Sequence, residues 1–152
     1  MRSIEFRMGY RPMDEATVAR LRIFVDRLNT ESKKGSVIVV EGKRDVEALT
    51  RIGFVGHVTA LNRFKGINNF VDSHCLIDKK IILLLDMDRT GKYLTSKLLK
   101  QLQSRGGNVS LFYKRSLARI SNGKIRHVED LVSYAPLISG ITRARKDLFM
   151  YI

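Results

Sequence analysis

Three carboxylates stand out by position. Glu41 closes the β-branched run "SVIVVE" at residues 36–41, and Asp86 and Asp88 close the apolar run in "IILLLDMDRTG" at residues 81–91. Side chains two apart on an extended backbone project the same way, so Asp86 and Asp88 are expected to face a common point that Glu41 reaches from a neighbouring strand. Two like charges about 4 Å apart repel by roughly 4 kcal/mol at an effective dielectric near 20. A cluster of this kind calls for a cation. Magnesium suits it, because it takes hard oxygen ligands, is held by one or two carboxylates and fills its remaining positions with water and substrate phosphate. Each residue also has a plainer reading. Asp88 stands where an N-cap would stand for a helix beginning near Thr90, and Asp45 falls in the first turn after Gly42, where an acid suits a helix start. Gly42 and Gly91 allow sharp turns and close approach to a phosphate, or serve as ordinary turn glycines. Lys43, Arg44, Arg89 and Lys92 flank the carboxylates, placed either to hold a phosphate backbone or to sit in solvent.

Positioning these groups requires strands that end at them. Val18, Leu21, Phe24, Val25 and Leu28 recur at helical spacing and predict an amphipathic helix over 13–31. The run at 36–41 predicts a strand, followed by a helix through Val46, Leu49 and Ile52 that stops at Gly53. Residues 57–61 predict a second strand, 66–77 a weaker helix, and 81–86 a strand so uniformly apolar that both its faces must be covered. Leu94, Leu98 and Leu102 mark a helix over 90–104, and 108–113 a further strand. Such alternation predicts an α/β fold with a mostly parallel sheet and helices on both faces. In open sheets of this kind ligands bind beyond the carboxyl ends of the strands, where Glu41 and Asp86 fall. Residues 113–127 hold five Lys and Arg and no acid. They are expected to form a solvated loop or a phosphate-facing surface, Lys114 and Arg115 included. Helical character returns at 127–137, and 141–152 are expected to form a final helix or a docked tail.

Composition narrows the partners. The 152 residues suit one domain, and 28 Lys plus Arg against 15 Asp plus Glu give a net charge of +13, which favours a polyanionic partner. Short apolar runs and an N-terminus unlike a signal peptide argue against a membrane span or export, so a soluble cytoplasmic protein is expected. Cys75 is the only cysteine, which excludes an internal disulfide and a thiolate zinc cluster. His57, His74 and His127 show no ligand spacing. Phe64, Phe112, Tyr113 and Tyr134 have the chemistry to stack on bases, although such aromatics are more often core.

The segment "VIVVEGKRDVEAL", followed some forty residues later by "IILLLDMDRTGK", resembles a Toprim domain. That is the catalytic fold shared by topoisomerases, bacterial-type primases, the maturase of 5S ribosomal RNA and overcoming-lysogenization-defect nucleases. The resemblance spans roughly residues 36–112. It implies a compact Rossmann-like sheet of about four mainly parallel strands, with Glu41 as general acid or base and Asp86 and Asp88 as magnesium ligands. The chain has no room for a topoisomerase gate and no cysteines for a primase zinc module, so it looks most like the small stand-alone Toprim proteins, especially those of archaea, and the ribosomal RNA maturase. By comparison with the maturase, Glu129 or Asp130 is a candidate to complete the metal shell, beside the reading that both favour a helix start. The expected division is a helical extension over 1–35, the Toprim domain over 36–135 and a tail over 136–152. The function implied is magnesium-dependent phosphodiester hydrolysis on RNA or DNA, with manganese as substitute metal. The alternative is a non-catalytic nucleic-acid-binding module working beside a protein partner.

Overall fold

The computed structural model describes residues 15–75 and 78–138, so the first residues of the expected N-terminal helix and the tail from 139 lie outside the described residues. In chain order the elements are α1 (Glu15–Lys33), β1 (Val37–Val40), α2 (Lys43–Arg51), β2 (Val58–Ala60), a 3-10 turn (Leu61–Arg63), α3 (Ile67–His74), β3 (Lys80–Leu83), α4 (Arg89–Ser104), β4 (Asn108–Ser110), α5 (Phe112–Ile120) and a 3-10 helix (Val128–Tyr134). The strands lie in the order β2-β1-β3-β4. Every pairing is parallel, with Ile38 opposite Val58, Val39 opposite Leu83 and Ile82 opposite Ser110.

Strand alternation sorts the apolar side chains into two cores. Ile38, Val40, Ile82 and Leu84 face one layer, packed with Leu21 and Phe24 of α1, Leu49 of α2, Leu117 of α5 and Leu131 of the last 3-10 helix. Val39, Ile81, Leu83 and Leu85 face the other, packed with Phe70 and Val71 of α3 and Leu98 and Leu102 of α4. The uniformly apolar run 81–85 is therefore buried on both faces, as its composition predicts. Each such side chain contributes about 1.5–3 kcal/mol over an exposed position, enough to hold the strand rigidly beneath whatever its end carries. Among the described residues no helix is long and apolar enough to cross a membrane.

Two elements differ from expectation. The β3 ladder stops at Leu83, with Leu84 N–H making one more bond to Val39 O at 2.8 Å, and the chain then leaves the sheet so that Asp86 and Asp88 sit in a turn. The basic stretch after β4 is only partly a loop, because Phe112–Ile120 is helical and irregular chain follows over 121–127. Tyr113 and Leu117, four apart, are buried on one side of α5 and pack toward α1, Tyr113 meeting Phe24 edge-on at 6.0 Å between ring centroids. The buried apolar pair outweighs the charged run around it.

Buried Glu31 of α1 joins four segments at the amino end of the sheet. It accepts hydrogen bonds from Ser36 Oγ at 3.1 Å, Lys80 Nζ at 2.7 Å and Tyr113 Oη at 3.3 Å. Burial alone would raise its pKa, but these donors and the Lys80 charge bring it below the ordinary value.

Candidate functional site

Because β1 and β3 are neighbours, the residues just beyond their carboxyl ends meet. Asp86 N–H donates to Glu41 Oε1 at 3.2 Å, and the Asp86 side chain is fixed by Val128 N–H, which donates to Oδ1 at 2.7 Å. Asp88 caps α4, accepting from Gly91 N–H at 2.7 Å through Oδ1, while its Oδ2 lies 3.1 Å from His127 Nε2. His127 Nδ1 in turn stands 3.4 Å from Asp130 Oδ2. Glu41 and Asp86 are thus brought together, whereas both Asp88 oxygens are engaged, one by α4 and the other by His127 ahead of the last 3-10 helix.

Glu41 and Asp86 line a cleft of about 710 Å3, with Lys43, Arg44, Asp45 and Glu129 among its other walls; Asp88 is not among the lining residues. The side chains of Lys43 and Arg44, in the first turn of α2, and of Glu129 are exposed. Arg89 and Lys92 are exposed on the first turn of α4, and Arg115 is exposed on α5. Lys114 is the exception within the basic stretch. Its Nζ reaches inward, donating to Asp86 O at 3.1 Å and to Thr95 Oγ1 at 2.8 Å, while buried Thr95 donates to Gly91 O at 2.7 Å. Burial lowers the Lys114 pKa against the upward pull of Glu41 and Asp86.

Two glycines lie against the site, and at one of them crowding dictates glycine. A Cβ on Gly91 would run into Asp86 O and stand 2.9 Å from Glu41 Oε1, so only glycine lets α4 start this close to both carboxylates. At Gly42 a Cβ would stand 2.9 Å from Asn62 Nδ2, and Asn62 N–H donates to Glu41 O at 3.0 Å, tying the 3-10 turn after β2 to the end of β1.

The electrostatics are lopsided. Burial first, and then the Asp86 charge, push the Glu41 carboxyl above its ordinary value. Burial raises Asp86 too, against the Val128 N–H and His127. Buried Asp45 accepts from Gly42 N–H at 3.1 Å and from the Glu129 backbone, yet burial and the Asp86 charge push its pKa up to about 6. Asp88, capped by Gly91 N–H and facing His127, is held below the ordinary aspartate value. His127 loses basicity through burial, but Asp86, Asp130 and Asp88 more than restore it. Three acids in one cleft thus resist ionisation, the condition a divalent cation relieves, and their donors are the hard oxygens that magnesium takes. Among the described residues no group of three or more His, Cys, Asp or Glu side chains is arranged to hold a metal ion as it stands, consistent with the engagement of Asp88.

His127, Thr95, Asn62 and the Val128 amide were not anticipated from the sequence. They act across gaps in the chain, His127 and Asp88 being 39 residues apart, with no local signal. The aromatic candidates are mostly structural: Tyr113 and Tyr134 are buried, Phe64 packs edge-on to Phe70 at 5.2 Å, and Phe112 is exposed. Cys75 packs, partly buried, against the α3–α4 core.

A Toprim domain is matched over residues 36–115, from the residue before β1 into α5, a span that includes Glu41, Asp86, Asp88 and Lys114. The chain is 34% identical over 115 residues to the UPF0292 protein of Methanosarcina barkeri, across 76% of this chain and 80% of that protein. It is 33% identical over 132 residues to the UPF0292 protein of Archaeoglobus fulgidus, across 87% and 96%. Among solved structures it is similar to a putative protein from Aquifex aeolicus, with a TM-score of 0.60 and 28% identity over 78% of this chain and 99% of that chain. A parallel four-stranded sheet carrying Glu41 and Asp86 at adjacent strand ends, and a matched span over more than half of the chain, lead to one conclusion: the chain belongs to the Toprim family, whose domains generally bind divalent metal ions such as Mg2+ and associate with nucleic acid.

Proposed function

We propose that this protein is a magnesium-dependent nuclease hydrolysing phosphodiester bonds in structured RNA or DNA, with manganese able to substitute. The observation that carries this reading is the pairing of Glu41 with Asp86 in one cleft, both carboxyls raised above their ordinary values, Glu41 by burial and the Asp86 charge, Asp86 by burial and the charges of Asp88 and Glu129. Glu41 and Asp86 would hold the ion, Asp88 joining by exchanging its His127 contact and Glu129 standing at the same cleft as a further ligand. When bound, the ion polarises a phosphoryl oxygen and lowers the pKa of coordinated water. Glu41, at the end of β1 beside Asp86, is suited to take a proton from the attacking water or return one to the leaving oxygen. Lys43 and Arg44, exposed beside the same cleft, hold phosphate oxygens of the substrate backbone. Lys114 holds the Asp86 turn in place from below.

The test is incubation of purified protein and Mg2+ with structured RNAs, single strands and nicked duplexes. Magnesium-dependent cleavage that disappears in Glu41→Gln while binding persists is the expected outcome, and all substrates remaining intact would end the proposal. One observation favours a second reading, a nucleic-acid-binding module without chemistry: both Asp88 oxygens are already satisfied by Gly91 N–H and His127. That reading expects salt-sensitive binding that Glu41→Gln leaves unchanged, with no cleavage by either form.

A further inference from the structure

Asp86 lines the cleft, and the next residue, Met87, lines a different cavity. This second groove, about 610 Å3, runs between α4 and α5. Its cations are Lys92, Lys114, Arg115 and Arg126, and no acid is among its lining residues. Between the cations lie Met87, Leu99, Leu111 and Ala118, so charge surrounds an apolar floor. Arg126 is anchored there by its backbone, since its carbonyl accepts from Met87 N–H at 2.6 Å. Lys114 belongs to both regions, lining the groove while its Nζ bonds Asp86 O.

We infer that the α4–α5 groove seats a single strand of nucleic acid and leads it across the Asp86–Asp88 turn toward the cleft. A duplex offers phosphates but keeps its base faces stacked inside, leaving the apolar floor uncovered. A single strand satisfies both features at once, with phosphates on Lys92, Arg115 and Arg126 and base faces against Met87 and Leu99. The direction of travel rests on the proposed function, because the cleft is where that reading puts the scissile phosphate. Seating in the groove does not depend on cleavage.

The experiment measures binding in EDTA, by fluorescence anisotropy of a labelled uridine or thymidine oligonucleotide about 15 nucleotides long, within the span one compact site covers. Arg115→Glu with Arg126→Glu is compared with a control of equal charge change, Arg20→Glu with Lys33→Glu, both exposed on α1. The groove variant should lose affinity about tenfold or more, and its slope of log affinity against log salt should flatten by about 1.4, two counterions at about 0.7 each. The control should bind within about twofold of the parent, and Arg115→Lys with Arg126→Lys should restore binding. The inference is overturned if the groove variant binds like the parent, if the control loses as much, if a duplex of the same sequence binds as tightly, or if a Glu-rich peptide of equal charge displaces the strand equally well. Groove-dependent binding without Mg2+-dependent cleavage would refute the nuclease reading alone, whereas cleavage with groove-independent binding would refute this inference alone.

Discussion

The Glu41 carboxylate accepts a hydrogen bond from the backbone of Asp86, Oε1 to N at 3.2 Å, so the side chain of one acid fixes the main chain of the other. The two carboxylates are therefore placed together without neutralising each other. Glu41→Gln keeps an oxygen able to accept that bond while removing the charge. We expect it to remain folded, with metal-free thermal stability at or above that of the parent, and to lose cleavage by about 100-fold or more, the range for removing a general acid or base. Melting curves and cleavage rates measured side by side check both halves.

Asp45 gives a pH signature. Its carboxyl, normally near 3.8, is pushed up to about 6, so the folded state binds its proton more tightly than the unfolded chain does. Stability contributed by this group is then greatest below 3.8 and falls as pH rises through about 6. Above that window the buried charge costs about 3 kcal/mol, from roughly 1.4 kcal/mol per pKa unit. Asp45→Asn keeps an acceptor for Gly42 N–H and should raise the melting temperature in EDTA at neutral pH, the gain vanishing toward acid pH. An Asn variant less stable than the parent at neutral pH would contradict this assignment.

Metal should act as a stabiliser that needs Asp86. An ion that binds only the folded state adds about 2.7 kcal/mol at 100 times its Kd. Titrating Mg2+ should raise the parent's melting temperature, and Asp86→Asn should flatten the response. Calorimetric titration of the same two proteins gives the stoichiometry.

Gly91→Ala should destabilise the protein although it lies inside a helix, where alanine is ordinarily better by about 0.5–1 kcal/mol. The added Cβ meets Asp86 O and crowds Glu41 Oε1. The net loss should be about 1–3 kcal/mol, as for an overpacked core position, read from the shift in urea midpoint.

Lys114→Met keeps the aliphatic stem but removes the donor to Asp86 O and Thr95 Oγ1. A loss of about 1–3 kcal/mol is expected for the polar groups left short of a partner. If the urea midpoint did not move, Lys114 would be a surface cation after all.

Local pattern made much of this protein legible. The apolar runs before Glu41 and Asp86 name the two central strands, and the terminal acids mark their carboxyl ends, because strand alternation and turn residues act over only a few positions. What stayed hidden depends on distance or on competition. At Asp88 a helix cap and a metal ligand require the same residue type at the same place, and the sequence does not carry the Gly91 N–H and His127 contacts that hold the side chain as a cap. Helix α5 was concealed because its Lys and Arg residues read as solvated chain, while its folding signal is just Tyr113 and Leu117 meeting α1. The hold of Val128 on Asp86 spans 42 residues and leaves no local trace.

Glu31 clasps the opposite, amino end of the central strands, where Ser36, Lys80 and Tyr113 converge on it. The same strands are thus anchored at one end and carry the carboxylate cleft at the other. Mutational tolerance should divide accordingly. Charge-removing changes confined to the Glu41 or Asp86 side chain alter the cleft, whereas the loss of Glu31 would release the start of β1, the start of β3 and α5 together.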